Sequence, residues 1–396
     1  MTRPISRRNA LFALFFLPGI TIASWVTRTP DVRDLLGAST AEMGLVLFGL
    51  SAGSMIGILC SGALVTRFGT RPVIAVGTSL IAAGSATIGV GAALGSAPLV
   101  ALGLGLFGLG MGGGEIAMNI EGAEVERALG RSTLPALHGC FSLGTVVGAV
   151  IGMLLTAIAF PVVVHLVVVA VVVVAGLALA IRYIPAPLPR AERTAAAAVD
   201  GPRRRPQVWR DPRLLLIGFL ILALAMAEGS ANDWLPLVMV DGHGFDAALG
   251  SAVFAAFAAA MTAGRFIGGR FVDRFGSAAV LCVSAIVGAI GLALVIFVDD
   301  QLVAGVAAIL WGLGASLGFP VALSAAGESG EHPEARVTLA ATIGYVAFLV
   351  GPPLLGFLGE HFGLRHALIV VLALVALAAF VAPVTARRRS PLPSRP

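Results

Sequence analysis

Long uninterrupted apolar runs dominate this chain. Residues 161–179, PVVVHLVVVAVVVVAGLAL, contain no acidic or basic side chain except one histidine. About 20 apolar residues of helix cross the roughly 30 Å hydrocarbon layer of a bilayer, and lipid offers no partner for an unpaired backbone amide, so each run is predicted to be helical. The pattern predicts twelve spans, at residues 10–29, 41–65, 73–94, 98–120, 136–158, 161–183, 213–236, 247–269, 278–298, 302–326, 337–359 and 364–386.

One long polar segment interrupts this pattern. Residues 185–212 contain prolines, arginines and a run of four alanines, with few large apolar residues. Six predicted spans lie on each side of it. We therefore predict an N-terminal six-helix bundle (1–184), a flexible cytoplasmic linker (185–212) and a C-terminal six-helix bundle with a short basic tail (213–396).

A short sequence occurs twice. SGALVTRFGT (61–70) aligns without a gap with GGRFVDRFGS (268–277). Each copy joins the second and third predicted spans of its half. A turn repeated at the same place in both halves indicates an internal duplication, and parallel six-helix repeats are one of the known transporter plans.

The composition and the placement of charge support a membrane protein. Apolar residues make up 58% of the chain and charged residues 12%, whereas soluble domains carry roughly 25% charge. Every one of the 26 basic residues is arginine. With both termini cytoplasmic, all of them fall in cytoplasmic segments except Arg28, Arg33, Arg265 and Arg365, as the positive-inside bias requires. The arginines are thus expected to orient a multi-pass protein in the lipid bilayer, and the net charge of +5 is not taken to indicate a nucleic-acid partner.

Enzyme and cofactor motifs are missing from the sequence. Cys60, Cys140 and Cys282 lie far apart with no metal-ligand spacing. The glycine run at 110–114 follows no predicted strand and precedes no lysine, unlike a phosphate-binding loop. Neither a zinc-protease helix nor a serine elbow occurs. We expect no enzyme activity, no metal and no cofactor.

The duplicated turn also carries a family resemblance. GALVTRFGTR (62–71) and GRFVDRFG (269–276) resemble the Gly-x-x-x-Asp-Arg-x-Gly loop of the major facilitator superfamily. Together with the spans and the central loop, the resemblance covers the whole chain. It implies an all-α integral membrane fold of twelve transmembrane helices in two pseudo-symmetric six-helix bundles.

A narrower resemblance points to a bacterial branch near the fucose permeases. It rests on four stretches: WVTRTPDVR (25–33), EIAMNIEGAEVER (115–127), LHGCFSLG (137–144) and AEGSANDW (227–234). It implies a monomer in the bacterial inner membrane.

The resemblance further implies a cytoplasmic gate made of both copies of the turn. In the family, the acid of this motif pairs across to the other half when the protein opens outward. Thr66 replaces the acid in the first copy, so a lopsided gate is expected; topology anchoring is the alternative role of its arginines. Gly62 and Gly269 are expected to allow close contact between helices. Gly69 and Gly276 are expected to allow a positive φ in the turn. The predicted gate residues are Gly62, Thr66, Arg67, Gly69, Gly269, Asp273, Arg274 and Gly276.

Charged residues inside a bilayer are costly and mark function. Glu115 and Asn119 lie four residues apart in the fourth span and share a helix face. When the halves are aligned at Gly110 and Gly314, Phe319 occupies the position of Glu115. A carboxyl partly shielded from water can exchange a proton near neutrality. Glu115 is thus predicted to carry a proton or contact substrate; the alternative is a buried acid paired with a helix neighbour.

The seventh span holds a second polar group. Glu228 and Asn232 are four residues apart, and Asp233 follows directly. In the family, helices 1, 4, 7 and 10 line the central path. Arg28, near the outer end of the first span, is expected to face Asp233 and to pair with it, directly or through a water molecule, when the protein is closed to the outside.

Tryptophans offer rings for substrate stacking. Trp25 and Trp234 lie near span ends, where an interfacial belt is the alternative, and Trp311 lies deeper in its span. All three are predicted to stack on a sugar or an aromatic substrate.

Two further polar residues leave alternatives open. Arg265 is expected to pair with the cytoplasmic gate or a neighbouring carbonyl, or to face the cavity. His138 is expected to join a hydrated charge network with Glu121, Glu124 and Glu126, a proton relay being the alternative.

These features predict a secondary transporter that works by alternating access. Without a nucleotide motif, an ion gradient is the expected energy source, most simply protons. Proton symport of a small polar metabolite such as a sugar fits the resemblance. The alternatives are proton-antiport efflux of hydrophobic compounds and a transport-inactive membrane sensor.

Overall fold

The computed structural model describes residues 4–130, 133–186 and 207–386, which contain helices and no strand. Most of the predicted linker, residues 187–206, lies outside the described residues, as does the basic tail at 387–396. The helices are α1 (Pro4–Val26), α2 (Thr29–Leu36), α3 (Thr40–Phe68), α4 (Thr70–Ala93), α5 (Ala97–Leu129), α6 (Leu134–Ala157), α7 (Val162–Ala180), α8 (Pro212–Leu237), α9 (Ala247–Phe297), α10 (Gln301–Ala315), α11 (Gly318–Glu328), α12 (Pro333–Phe362), α13 (Leu364–Ala367) and α14 (Ile369–Val381).

The number of membrane crossings agrees with the apolar pattern. Among the described residues, 11 helical segments are long and apolar enough to span a bilayer. The longest, α9, has 51 residues and is interrupted at Gly276. Because α9 supplies the predicted eighth and ninth spans, the chain crosses twelve times. The predicted all-α membrane fold is confirmed.

The two copies of the duplicated turn have the same backbone shape. Gly69 has φ 87° and ψ 169°, and Gly276 has φ 80° and ψ 161°. A residue with an L side chain rarely adopts such a positive φ. The positive φ expected at these two glycines is therefore observed, and it explains why glycine occupies both positions. We call the end of the bundle that holds these turns the motif face. The opposite end, which includes residues 94–96 and 298–300, is the far face.

Helices within each half touch through glycine. In the N-terminal half, a Cβ added to Gly53 of α3 would lie 2.1 Å from the carbonyl oxygen of Gly105 in α5. In the C-terminal half, a Cβ on Gly314 of α10 would lie 2.3 Å from the backbone nitrogen of Gly288 in α9. Lipid is as apolar as the helices, so such close packing replaces a hydrophobic driving force.

Ion pairs hold the first helix of each half at the motif face. Arg7 of α1 donates through Nε to Glu121 (2.7 Å) and through Nη2 to Glu124 (2.5 Å) in α5. Asp211 precedes α8 and accepts a hydrogen bond from Arg336 of α12. That bond holds the pKa of the Asp211 carboxyl below its usual value, against the smaller opposing effect of burial. The two halves thus anchor their first helices with unrelated residue pairs.

The glycine contacts predict a sharp cost for one added methyl group. Gly53→Ala should lower the free energy of unfolding by about 1–3 kcal/mol, because the methyl would overlap the carbonyl of Gly105. Gly62→Ala in the same helix is the control, since a Cβ there meets nothing within 4 Å. Thermal unfolding of the purified protein in detergent measures both variants. Equal melting temperatures for the two would contradict this account of the packing.

Candidate functional site

The two halves are joined by polar contacts at the far face. Arg33 of α2 forms an ion pair with Asp241, in the π-helical turn Val238–Gly242 after α8. Ser251 Oγ of α9 donates a hydrogen bond of 2.9 Å to the carbonyl oxygen of Thr27. Both contacts cross from one half to the other, so the far face is closed.

Helices α3 and α12 cross at the same face. A Cβ added to Gly356 would lie 2.8 Å from the Cα of Gly44. Next to this crossing, the backbone N–H of Ala41 donates to Glu360 Oε2 over 3.1 Å. Helix α12 contains Pro352 and Pro353 and remains helical beyond them up to this contact. The close glycine crossing completes the seal.

The motif face is open instead. A Cβ added to Gly62 or Gly269 would meet nothing within 4 Å, so the expectation of close helix contact at these two glycines is wrong for this conformation. The side chains of both turn copies are exposed: Thr66, Arg67, Asp273 and Arg274. A cleft between the halves therefore opens toward the motif face, beside one contact that remains between them, where a Cβ added to Gly139 of α6 would lie 2.7 Å from the ring of Phe266 in α9.

Helix α5 provides the N-terminal wall of this cleft. The face of α5 that carries Gly112, Gly113 and Gly114 is buried. A Cβ added to Gly112 would lie 2.4 Å from the carbonyl oxygen of Ser54 in α3. Glu115, in the middle of the helix, is exposed, and the described contacts include no hydrogen bond to its carboxyl. One turn further, Asn119 Oδ1 lies 3.1 Å from His138 Nε2 of α6. The wall thus presents a carboxyl, an amide and an imidazole.

Arg265 of α9 binds groups of its own half. Its Nη2 donates to Glu228 Oε1 over 2.7 Å, and its Nε donates to the carbonyl oxygen of Ser316 over 3.3 Å. Arg265 therefore takes one of its predicted roles, pairing with a neighbouring carbonyl, and its place facing the cleft stays a prediction.

His138 belongs to this cleft and not to the predicted glutamate network. Glu121 and Glu124 are bound to Arg7. Glu126 Oε2 accepts a hydrogen bond of 2.7 Å from the backbone N–H at the start of α6. The expected glutamate network around His138 is wrong because these acids are used within the N-terminal half, while the imidazole lies against Asn119; the proton-relay alternative stays a prediction.

The predicted direct ion pair of Arg28 and Asp233 does not form. Both side chains are buried. Arg28 Nε donates to His165 Nδ1 (3.1 Å) and its Nη1 to Asp31 (2.8 Å). Partners on α7 and α2 are within reach of the long arginine side chain, so it turns away from α8. Asn232 is partly buried beside Asp233, and a role of either in the path remains a prediction.

The tryptophans pack between helices. Trp25, Trp234 and Trp311 are at most 2% exposed. Trp311 Nε1 donates a hydrogen bond of 3.1 Å to the carbonyl oxygen of Ala227, and its ring meets Phe257 edge to face at 5.8 Å. None of the three rings lies at the open cleft in this conformation, so stacking on a substrate stays a prediction.

Tyr345 of α12 is a polar residue within a span that the sequence analysis did not single out. Its ring lies 6.2 Å from that of Phe319, the repeat counterpart of Glu115. The sequence held one signal that could have drawn attention to it. The chain has two tyrosines, and this one lies well inside a predicted span.

Twelve spans in two halves, around a polar cleft that is open at one face, define a membrane transporter. The chain belongs to the Major Facilitator Superfamily, whose family pattern matches residues 10–345.

Two relatives of similar length resemble this chain in sequence. An uncharacterized MFS-type transporter of Yersinia pestis is 31% identical over 392 residues, which cover 96% of each chain. The membrane protein MosC of Rhizobium meliloti is 27% identical over 383 residues, covering 96% of this chain and 90% of its own.

Solved structures share the fold at low identity. The nucleoside transporter NupG has a TM-score of 0.73 at 16% identity, covering 96% of this chain and 98% of its own. The D-xylose-proton symporter has a TM-score of 0.74 at 15% identity, covering 96% of each chain. A variant of the E. coli fucose:proton symporter FucP has a TM-score of 0.64 at 18% identity, covering 96% and 98%.

The glycine crossing makes the far-face seal testable. Gly356→Ala would place a methyl group against Gly44, at a cost of about 1–3 kcal/mol. We expect the ratio of open to closed molecules at the far face to rise about tenfold for each 1.4 kcal/mol. Spin labels at Leu35 and Leu302, both exposed, report the separation of the halves there.

The control is Gly305→Ala, whose Cβ would have its nearest neighbour at 3.8 Å. It should keep the wild-type label distances. If Gly356→Ala kept them too, the crossing would not limit opening of the far face.

Proposed function

We propose that this protein imports a small, polar, uncharged metabolite such as a sugar together with protons, by alternating access. The observation that carries the proposal is Glu115, an acid exposed in the middle of α5, one helix turn from the contact between Asn119 and His138. A proton-coupled carrier needs an ionisable group near the path that meets each side of the membrane in turn.

The lining of the cleft favours polar cargo. Asn119, His138 and Tyr345 offer uncharged donors and acceptors, and the charge of Arg265 is already balanced by Glu228. Hydroxyl groups of a sugar match such groups. An anionic substrate would need an unpaired cation, and the arginine among these cleft residues is already paired with Glu228.

Proteins of the same fold support the choice of cargo and ion. One of the structural neighbours is named a fucose:proton symporter, another a D-xylose-proton symporter, and a third a nucleoside transporter. Each carries a small hydroxylated molecule. The likeness itself concerns the fold, and the cleft residues carry the proposal for this chain.

We further propose a monomer in the bacterial inner membrane with the motif face, and both termini, toward the cytoplasm. The bias of arginine toward that face supports this orientation. The conformation described here is then inward-open, and the exposed gate turns are those of an undone cytoplasmic gate.

Glu115→Gln separates net transport from exchange. The amide keeps the size of the side chain but cannot ionise, so accumulation driven by a pH gradient should fall to the level without a gradient. Exchange of labelled for unlabelled substrate should persist, since it moves no net proton. Proteoliposomes with acid outside, tested with labelled monosaccharides and nucleosides, identify the substrate and measure both activities.

Glu334→Gln, which changes an exposed acid in the first turn of α12, is the matched control and should accumulate normally. Full accumulation by Glu115→Gln would remove Glu115 as the proton carrier, and the split phenotype in Glu228→Gln or Asp233→Asn would reassign it. Export under the same gradient would support antiport.

Orientation is tested by thiol labelling. In a background without the native cysteines, a membrane-impermeant reagent added outside the cell should label Leu35→Cys at the far face. It should not label Arg71→Cys at the motif face before the membrane is permeabilised. The reverse pattern would invert the proposed topology.

A further inference from the structure

A groove lies at the motif face of the C-terminal half, between the start of α8 and the end of the last span. It has a volume of about 330 Å³ and is lined by Pro212, Arg213, Leu216, Val384 and Ala386. The short 3₁₀ turn Ala382–Thr385 forms one side. The carbonyl oxygen of Thr385 accepts a hydrogen bond of 3.1 Å from Ser277 Oγ, next to the second copy of the duplicated turn. The groove is therefore apolar except for one arginine.

This groove continues the outer side of α14. Leu377 and Phe380 of that helix are 54% and 84% exposed, and α14 packs against α8 and α9 of its own half. Val384 follows Leu377 by seven residues and Phe380 by four, and these spacings keep side chains on one side of a helix. Large apolar side chains exposed on the outside of a spanning helix face lipid. The groove thus opens toward the acyl chains of the bilayer.

Arg213 brings positive charge to the groove. Its Nε and Nη2 donate to the carbonyl oxygens of Val384 (3.1 Å) and Ala386 (2.7 Å). Its Nη1 reaches the carbonyl oxygen of Ser329 at 3.5 Å, which is long for a hydrogen bond. The described ion pairs of this half use other residues and leave Arg213 without a carboxylate. The guanidinium therefore keeps an uncompensated charge and a weakly used N–H group.

A second arginine lies three residues earlier in the chain. Arg210 is exposed, and its guanidinium lies 4.7 Å from the ring centre of Trp209, which is exposed as well. Asp211, the acid between the two arginines, is bound to Arg336. Tryptophan is enriched where the hydrocarbon layer meets the headgroups. Trp209 and Arg210 thus mark the headgroup level beside the groove.

We propose that the groove binds an acidic phospholipid, with its phosphate on Arg213 and Arg210 and an acyl chain along Leu216 and Val384. A phosphate matches the planar fork of a guanidinium. A zwitterionic headgroup is disfavoured because it carries an ammonium group toward the same two arginines. The bound lipid would join the start of α8 to the end of the last span. The site is independent of Glu115 and of the transported substrate.

The chain offers one other occupant, the tail that follows Ala386. Its first three residues, 387–389, are arginines. Their charge is repelled by Arg210 and Arg213 and attracted by a lipid phosphate. The tail is therefore expected to strengthen the headgroup site and to leave the groove to the acyl chain.

Quenching of Trp209 measures the lipid beside the groove. The chain has four tryptophans, and the other three are buried, so the signal lost in Trp209→Phe belongs to the exposed ring. The full-length protein is placed in bilayers of phosphatidylcholine and phosphatidylglycerol, with brominated acyl chains on one lipid or the other. The ratio of the two quenching curves gives the preference for the acidic lipid. We expect a preference on the order of fivefold for each arginine.

Arginine variants test the headgroup contact. Arg210→Gln and Arg213→Gln should each lower the preference about fivefold. Arg213→Gln also loses bonds to the end of the chain, so Arg210→Gln, which breaks no hydrogen bond among the described contacts, keeps the test valid if the former is unstable. Arg182→Gln is the matched control. Arg182 lies over Tyr183 at 5.5 Å beyond the end of α7 and does not line the groove, so its loss should keep the preference.

A variant of the apolar lining separates a built site from a basic surface. Leu216→Gln keeps every arginine but places an amide where the acyl chain is proposed to lie, so the preference should fall. Leu179→Gln, which changes an exposed leucine near the end of α7, is the control and should keep it. General attraction of acidic lipids to arginine predicts no effect of either change.

Three results would overturn the inference. They are equal quenching of the wild-type protein by both lipids, an equal loss of preference in Arg182→Gln and Arg210→Gln, and an unchanged preference in Leu216→Gln. Truncation after Ala386 should lower the preference, because the arginines of the tail are removed. A rise in preference on truncation would show that the tail occupies the groove and would exclude the lipid as its normal occupant.

Discussion

Each half of the protein depends on helix backbones that touch through glycine. In a bilayer, apolar side chains gain nothing by leaving lipid for another helix, so stability must come from close packing and internal hydrogen bonds. The contact of Gly53 with Gly105 and that of Gly314 with Gly288 are of this kind. Between the halves, close packing of glycine recurs where Gly44 meets Gly356, beside a few polar contacts. Two tightly packed bodies with a lighter seam between them are the physical requirement for alternating access.

Duplication supplied the scaffold twice, but the chemistry of the cleft is divided between the copies. Glu115 lies on one wall, and its counterpart Phe319 packs against Tyr345 on the other. Arg265 has no charged counterpart either, since Ile58 occupies its repeat position. The acid of the N-terminal half and the arginine of the C-terminal half thus each occur once, and Arg265 is paired with Glu228 of its own half. Asymmetry within the repeat therefore lies in the polar side chains and not in the helix scaffold.

Backbone features of this fold were predictable from sequence and side-chain partners were not. The spans and the turns at Gly69 and Gly276 follow from local rules of hydrophobic length and positive φ. The partners of Arg28 and His138 depend on the rotation of each helix about its axis, which apolar helices with lipid on several sides do not reveal. An arginine side chain also reaches several neighbouring helices, so spacing along the chain left His165 and Asp31 unrecognised as its partners. Glu115 was found because a lone acid in an apolar span is conspicuous.

Thr66 in place of an acid at the first gate turn bears on how the motif face can close. In the described conformation, Thr66 bonds the carbonyl of Gly62 in its own helix, and Asp273 in the second copy is exposed. If the two turns form the proposed cytoplasmic gate, the first copy offers a hydroxyl where the second offers a carboxylate, so the two copies cannot contribute equally to closing the motif face. The repeat thus preserves the backbone of the turn in both halves, through Gly69 and Gly276, while its charge differs between them.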